Sequence, residues 1–193
     1  MSLCVHKLKA AIPSNSCACR KEENEIDILF YHLETTSLTI VLPGLLEKSL
    51  QRGWKALIVS GAQDQLAPLN EALWTEREDS FIPHALPAGC EDCESEPILL
   101  SSLDEVEGVP GDGALSNPNQ ANILFMVHSG YVDVKSLNQF ERCVAIFDGN
   151  DDVAIGAARD LWKRIRDANQ NGDDAQELTY WRQSEQGRWE KQG

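Results

Sequence analysis

Apolar residues gather into short runs separated by helical-period stretches. Ile26–His32 is rich in Ile, Phe and Tyr and reads as a strand. Lys55–Ser60, Pro97–Ser101, Asn122–Val127 and Val144–Phe147 are nearly continuous apolar runs and read as further strands. Between the first two, Leu42, Leu45, Leu46 and Leu50 recur at helical spacing, which predicts a helix over 38–52 closed by Gly53. Pro43 belongs in its first turn or kinks it. A second helix, capped by Asp64 and running to Trp74, would put Leu66, Leu69, Leu73 and Trp74 on one face. A long helix is predicted over 152–168, after Asp148-Gly-Asn-Asp151. The Gly-, Pro- and acid-rich stretches 87–95 and 103–119 read as loops. Continuous apolar strands alternating with helices imply an α/β fold, with a central, mostly parallel sheet covered on both faces. Residues 1–24 show no periodicity and read as a flexible N-terminal extension ahead of one α/β domain at 25–193.

Composition narrows the function. The chain has 193 residues and a net charge of −14, a surface that repels phosphate and argues against broad electrostatic binding to nucleic acid. No apolar run approaches the roughly 18 residues that cross a membrane, and the first 25 residues lack a signal-peptide core. A cytoplasmic protein with no membrane contact is expected, its six cysteines reduced. Cys17 and Cys19 with Cys90 and Cys93 have the numbers for a zinc site. The first pair is spaced too closely, so surface thiols are the simpler reading. Cys143, inside an apolar run, reads as core.

Recognisable catalytic and cofactor motifs do not occur. The chain has neither a phosphate-binding G-x-x-x-x-G-K-[ST] loop, nor a G-x-G-x-x-G after the first strand, nor a G-x-S-x-G elbow. Asp167-Ala-Asn-Gln-Asn-Gly172 imitates the start of a calcium loop, but its twelfth position is Leu178 where a bidentate Glu is needed. A turn after a helix explains it without an ion. Asp148, Asp151 and Asp152 are similarly explained as an acidic first helical turn. No cofactor is expected.

The helix at 152–168 is the most informative segment. At about 100° per residue, Ala154, Ala158, Leu161 and Ile165 form one apolar stripe, while Arg159, Trp162, Lys163 and Arg166 fall together elsewhere. Three cations beside an indole locally reverse the sign of an anionic chain. They form either a solvated face paired with neighbouring acids or a grip for an acidic peptide, with Arg on carboxylates and Trp162 over an apolar side chain. Trp74 and Phe81, near the exit of the second helix, are either an interface anchor or core beneath a loop.

Leu69-Asn-Glu-Ala-Leu-Trp74, followed by Asp79-Ser-Phe-Ile-Pro-His84, resembles the signature of the chi subunit of bacterial DNA polymerase III. Ile28-Leu-Phe-Tyr-His32, Arg52-Gly-Trp54, Phe147-Asp-Gly-Asn-Asp151, Ala158-Arg159 with Trp162-Lys163, and Tyr180-Trp181 are similar to the same family over about residues 26–190. The closing Gly187-Arg-Trp-Glu-Lys191 resembles its alphaproteobacterial branch. The resemblance implies a three-layer α/β/α, Rossmann-like fold without a nucleotide site and without catalysis of its own. It implies membership of the clamp-loader part of the replicative polymerase, a psi-subunit partner, and binding of the acidic C-terminal tail of the single-stranded-DNA-binding protein. Family tail-binding positions fall on Arg159, Trp162, Lys163 and Arg166, and psi-facing positions on Trp74 and Phe81. Two departures stand out: residues 1–24 are extra, and a basic position one turn before Arg159 in some members is Ile155.

The expected function is therefore an adaptor in DNA replication, touching DNA only through its partner. The competing reading is a small α/β hydrolase or nucleotide-binding protein. It would draw on His32, His128 and Asp148, the candidates near strand carboxyl ends.

Overall fold

A computed structural model of the chain describes residues 26–75, 81–107, 115–170 and 176–192. The strands are β1 (Ile26–Leu33), β2 (Ala56–Ser60), β3 (Ile98–Ser102), β4 (Ile123–Val127), β5 (Arg142–Asp148), β6 (Gln176–Gln183) and β7 (Trp189–Gln192). The helices are α1 (Leu38–Gln51), α2 (Leu66–Thr75), α3 (Leu103–Val106) and α4 (Asp152–Gln170). The seven strands form one sheet in the order β3-β2-β4-β5-β1-β6-β7. Every neighbouring pair is parallel except β6 and β7.

The apolar runs explain the interior. β2, β3 and β4 are buried at every position, as strands covered on both faces require. On one face Leu42 and Leu46 of α1 and Leu66, Leu69 and Leu73 of α2 pack on Ile58, Phe125 and Ile146. On the other, Ala158, Leu161 and Ile165 of α4, with Val106 of α3, pack on Phe30, Val59, Met126 and Ala145. The three-layer α/β/α arrangement follows.

Connections that move toward β3 run through α1 and α2 on one face. Those that move toward β7 run through α3, the 3₁₀ segment Val134–Gln139 and α4 on the other, before the β6–β7 hairpin. Neighbouring β5 and β1 thus send the chain in opposite directions, and a cleft opens beyond their carboxyl ends.

Local signals account for the element ends, with some corrections. Gly53 ends α1 as expected: at φ +74° it lets its own N–H reach Leu50 O and the Trp54 N–H reach Ser49 O. Pro43 lies inside α1, past the first turn. Asp64 does not cap α2; it lies in a short 3₁₀ turn, Gln63–Gln65, from which the helix continues. The expected loop over 103–119 begins with α3, whose first turn is held by Glu105 accepting from the Ser102 N–H and the Ser101 hydroxyl. Those hydrogen bonds hold the Glu105 carboxyl below its usual range. The calcium-like segment begins on the last turn of α4, not in a loop. Its residues 171–175, like Cys17, Cys19 and the N-terminal extension, lie outside the described residues.

The strand-end geometry depends on one close backbone contact. His128 and Ser129 both have positive φ, in a tight turn closed by Gly130 N–H to Val127 O at 2.9 Å. This turn presses on Gly61, where a Cβ would lie 2.4 Å from His128 O and 2.7 Å from Gly130 N. Backbone cannot yield as a side chain does. Gly61→Ala is expected to cost about 1–3 kcal/mol of stability, read from the urea midpoint; an unchanged midpoint would show that the turn has room.

Candidate functional site

α4 is amphipathic, and its apolar stripe decides what the remaining residues face. Ala158, Leu161 and Ile165 are buried against the sheet, while Arg159, Lys163 and Arg166 are exposed. Trp162 lies at the boundary. Its ring turns onto the sheet and meets Phe30 edge-on at 5.0 Å between centroids and Tyr180 at 6.2 Å. The indole is half-buried and not part of the solvent face that helical angle alone suggested.

These residues line a slot of about 410 Å³ between α4 and the sheet. Phe30 of β1, Phe147 of β5 and Tyr180 of β6 make the floor, Trp162, Ile155 and Ala158 the helix wall, and Arg159, Lys163 and Arg166 the rim. The slot exists because β1 and β6 are register neighbours, Phe30 opposite Tyr180, so their side chains share the α4 face. Ile155 contributes apolar wall.

The rim cations are largely unspent. Lys163 Nζ lies 3.5 Å from Asp160 Oδ1, an exposed pair one helical turn apart of the kind that contributes little. Among the described residues no carboxylate forms an ion pair with Arg159 or Arg166. Two guanidinium groups and an ammonium above an aromatic floor form a site for an anion attached to an apolar group.

The slot's inner end is polar. The Tyr180 hydroxyl lies 2.6 Å from His32 Nδ1, and His32 Nε2 is 3.7 Å from Glu34 Oε1. Glu34 also accepts from Arg182 Nε at 2.6 Å. Burial raises the Tyr180 hydroxyl above its ordinary value. Sequence reading missed Phe30, Phe147 and Tyr180 as site residues. The first two sat in apolar runs that read as core, and the strand carrying Tyr180 was not predicted.

Trp74 and Phe81 come together elsewhere. Their ring centroids are 5.4 Å apart, with His84 4.9 Å from Trp74. Both are exposed, Trp74 at 53% and Phe81 at 69%, so they are not core beneath a loop. Trp74 does not share the buried face of Leu66, Leu69 and Leu73. Two large exposed rings in contact form an apolar surface suited to a partner.

The strand-end candidates are not assembled into one centre. His128 and Asp148 line the cleft beyond β5 and β1, about 630 Å³, whereas His32 does not. Asp148 Oδ1 accepts from the Asn150 backbone and side-chain amides, Asp151 Oδ1 from the Val153 N–H, and His128 Nδ1 pairs with Ser60 Oγ at 3.1 Å. Their hydrogen bonds shape local turns. Among the described residues no group of His, Cys, Asp and Glu could hold a metal ion, and Cys90 and Cys93 are free thiols. No described helix is long and apolar enough to cross a membrane.

Against curated proteins the chain finds no match. The family described as "DNA polymerase III chi subunit, HolC" matches residues 26–172, which takes in the sheet from β1 to β5, both helical layers, the Trp74–Phe81 pair and the whole of α4. With that match over most of its length, the chain belongs to the DNA polymerase III chi subunit family.

Proposed function

We propose that this accessory subunit tethers the replicative polymerase to coated single-stranded template by holding the acidic C-terminal tail of the single-stranded-DNA-binding protein. The carrying observation is the slot: an aromatic-floored groove with a cationic rim in a chain of net charge −14. Arg159 and Arg166 bind carboxylates through paired hydrogen bonds, Lys163 supplies positive potential, and Trp162, backed by the buried Phe30, takes the terminal apolar side chain. The protein works by binding, carries out no reaction of its own, and reaches DNA only through that partner. Calorimetric titration with a peptide of several aspartates ending in an apolar-aromatic pair tests the reading, beside the same peptide shortened by its last residue. The full peptide is expected to bind and the shortened one to lose most affinity. Equal binding by both would remove the role of the apolar floor.

The exposed Trp74–Phe81 pair is the proposed contact for a psi-type subunit, and through it for the clamp loader. Because both rings are more than half exposed, Trp74→Ala and Phe81→Ala are expected to cost no more than about 1 kcal/mol of folding stability. They are expected to abolish co-migration with the clamp-loader complex in size-exclusion chromatography. Retained co-migration would place that contact elsewhere.

The competing reading, a hydrolase or nucleotide-binding protein, draws on the strand-end cleft. Thermal shift separates the two: the acidic peptide is expected to raise the melting temperature, and nucleotides to leave it unchanged.

A further inference from the structure

His32 lies directly behind the tail slot and takes no part in the grip described above. Its ring is closely packed on both sides. Phe147 lies against its ring at 5.1 Å, Tyr180 meets it perpendicularly at 6.0 Å, and a Cβ on Gly149 would come within 1.9 Å of Nε2. The charged and titratable groups facing it come from every surrounding element. They are Glu34 from the turn after β1, Asp148 from β5, Tyr180 and Arg182 from β6, and Arg159 from α4.

Hydrogen-bond capacity restricts the neutral ring. A neutral imidazole has one donor and one acceptor. Placing the proton on Nε2, toward the Glu34 carboxylate, avoids a bare lone pair facing a negative charge. Nδ1 then accepts from the Tyr180 hydroxyl, whose only proton is consumed at the back of the slot. When the ring gains a second proton, Nδ1 becomes a donor to Tyr180 Oη. The Tyr180 proton is then free to point into the slot, toward the space at Arg159.

We infer that His32 is a positioning residue for the slot: its protonation redirects the Tyr180 hydroxyl toward a carboxylate held at Arg159, so the site grips its acidic ligand more tightly as pH falls. This inference rests on the tail-binding reading. The sign follows from linkage. Burial holds the His32 imidazole below its ordinary value; Glu34 and Asp148 oppose this, while Arg182 and Arg159 reinforce it. A ligand carboxylate offsets Arg159 and accepts from Tyr180, so it raises His32's affinity for the proton. The proton raises affinity for the ligand by the same factor. The peptide's own carboxylates stay ionised above about pH 5. With an N-acetylated peptide the interval between pH 7.5 and 5.5 therefore leaves the imidazole as the group to follow at the slot, since neither His84 nor His128 lines it.

The test is calorimetry of the full chain with the acidic peptide at pH 7.5 and 5.5, in two buffers of different ionisation enthalpy. Wild type is expected to bind about five- to tenfold more tightly at the lower pH, with net proton uptake. His32→Asn and Tyr180→Phe are expected to flatten both effects. Tyr180→Phe keeps the ring and its packing, so the test stands even if His32→Asn does not fold. Tyr180→Phe keeping the wild-type slope, or wild type binding without proton uptake, overturns the inference and leaves the tail reading standing. No binding at either pH overturns both.

Discussion

Phe30→Ala is expected to lower the folding free energy by about 3–5 kcal/mol, the largest effect of any substitution considered. The ring is 1% exposed, in the middle of β1, the strand that joins the β5 side of the sheet to β6 and β7. Truncation removes its transfer free energy and leaves a cavity beneath Trp162, whose indole is held in place by that ring at 5.0 Å. The urea midpoint reads the first consequence; peptide titration of the fraction that still folds reads the second, a weakened tail affinity. A stability loss under about 1 kcal/mol would mean that the indole collapses into the space and that the slot floor is not rigid.

Arg159→Ala separates binding from folding. The side chain is exposed and, among the described residues, pairs with no carboxylate, so its removal is expected to change stability by no more than about 0.5 kcal/mol. Its loss from the complex is expected to cost about 1.5–3 kcal/mol of tail affinity, the range for a hydrogen bond to a charged group. Part of that affinity should already be lost at high salt, because the rim lies in solvent. In the proposed assembly on coated DNA, several tails within reach of one subunit are expected to mask part of the defect by avidity. The decisive measurement is therefore calorimetry with free peptide in low salt. Full-strength binding by Arg159→Ala would remove the rim from the mechanism.

The fold was largely legible because burial of a parallel sheet leaves a plain trace. β2, β3 and β4 are covered on both faces, and such strands are apolar along most of their length, with Ser60, Ser101 and Ser102 only at the carboxyl ends of β2 and β3. The Gly53 stop on α1 was legible for an equally local reason, the left-handed conformation that its position demands. β6 was missed because it lies near the sheet edge and only some of its positions are covered. Gln176-Glu-Leu-Thr-Tyr-Trp-Arg-Gln183 alternates between α4 and the opposite face, so no continuous apolar run marks it. Its polar residues nonetheless hold the site together. Buried Gln183 accepts from the backbone N–H groups of Glu34, Thr35 and Thr36, each at 3.2 Å, and fixes the turn from β1 into α1.

Half of the candidate site could be read directly. Arg159, Lys163 and Arg166 lie on one helix, where spacing gives the angle between them and charge gives the contrast with the rest of the chain. Trp74 and Phe81 were found as a pair, but the choice between core and surface was open, since both environments favour large rings.

What the sequence determined alone depends on neighbours along the chain: the identity of β1 to β5 from apolar runs, the amphipathic α4, the Gly53 stop, the motif carried by Trp74 to His84, and family membership. Tertiary structure alone decided which strands became neighbours. The parallel pairing of β1 with β6 sets Phe30 beside Tyr180 and brings His32 within 2.6 Å of a hydroxyl 148 positions away. A contact between residues so distant leaves no periodicity in either segment. It arises only when the sheet order is complete, and for that reason the floor of the slot and its histidine could not be read from the chain.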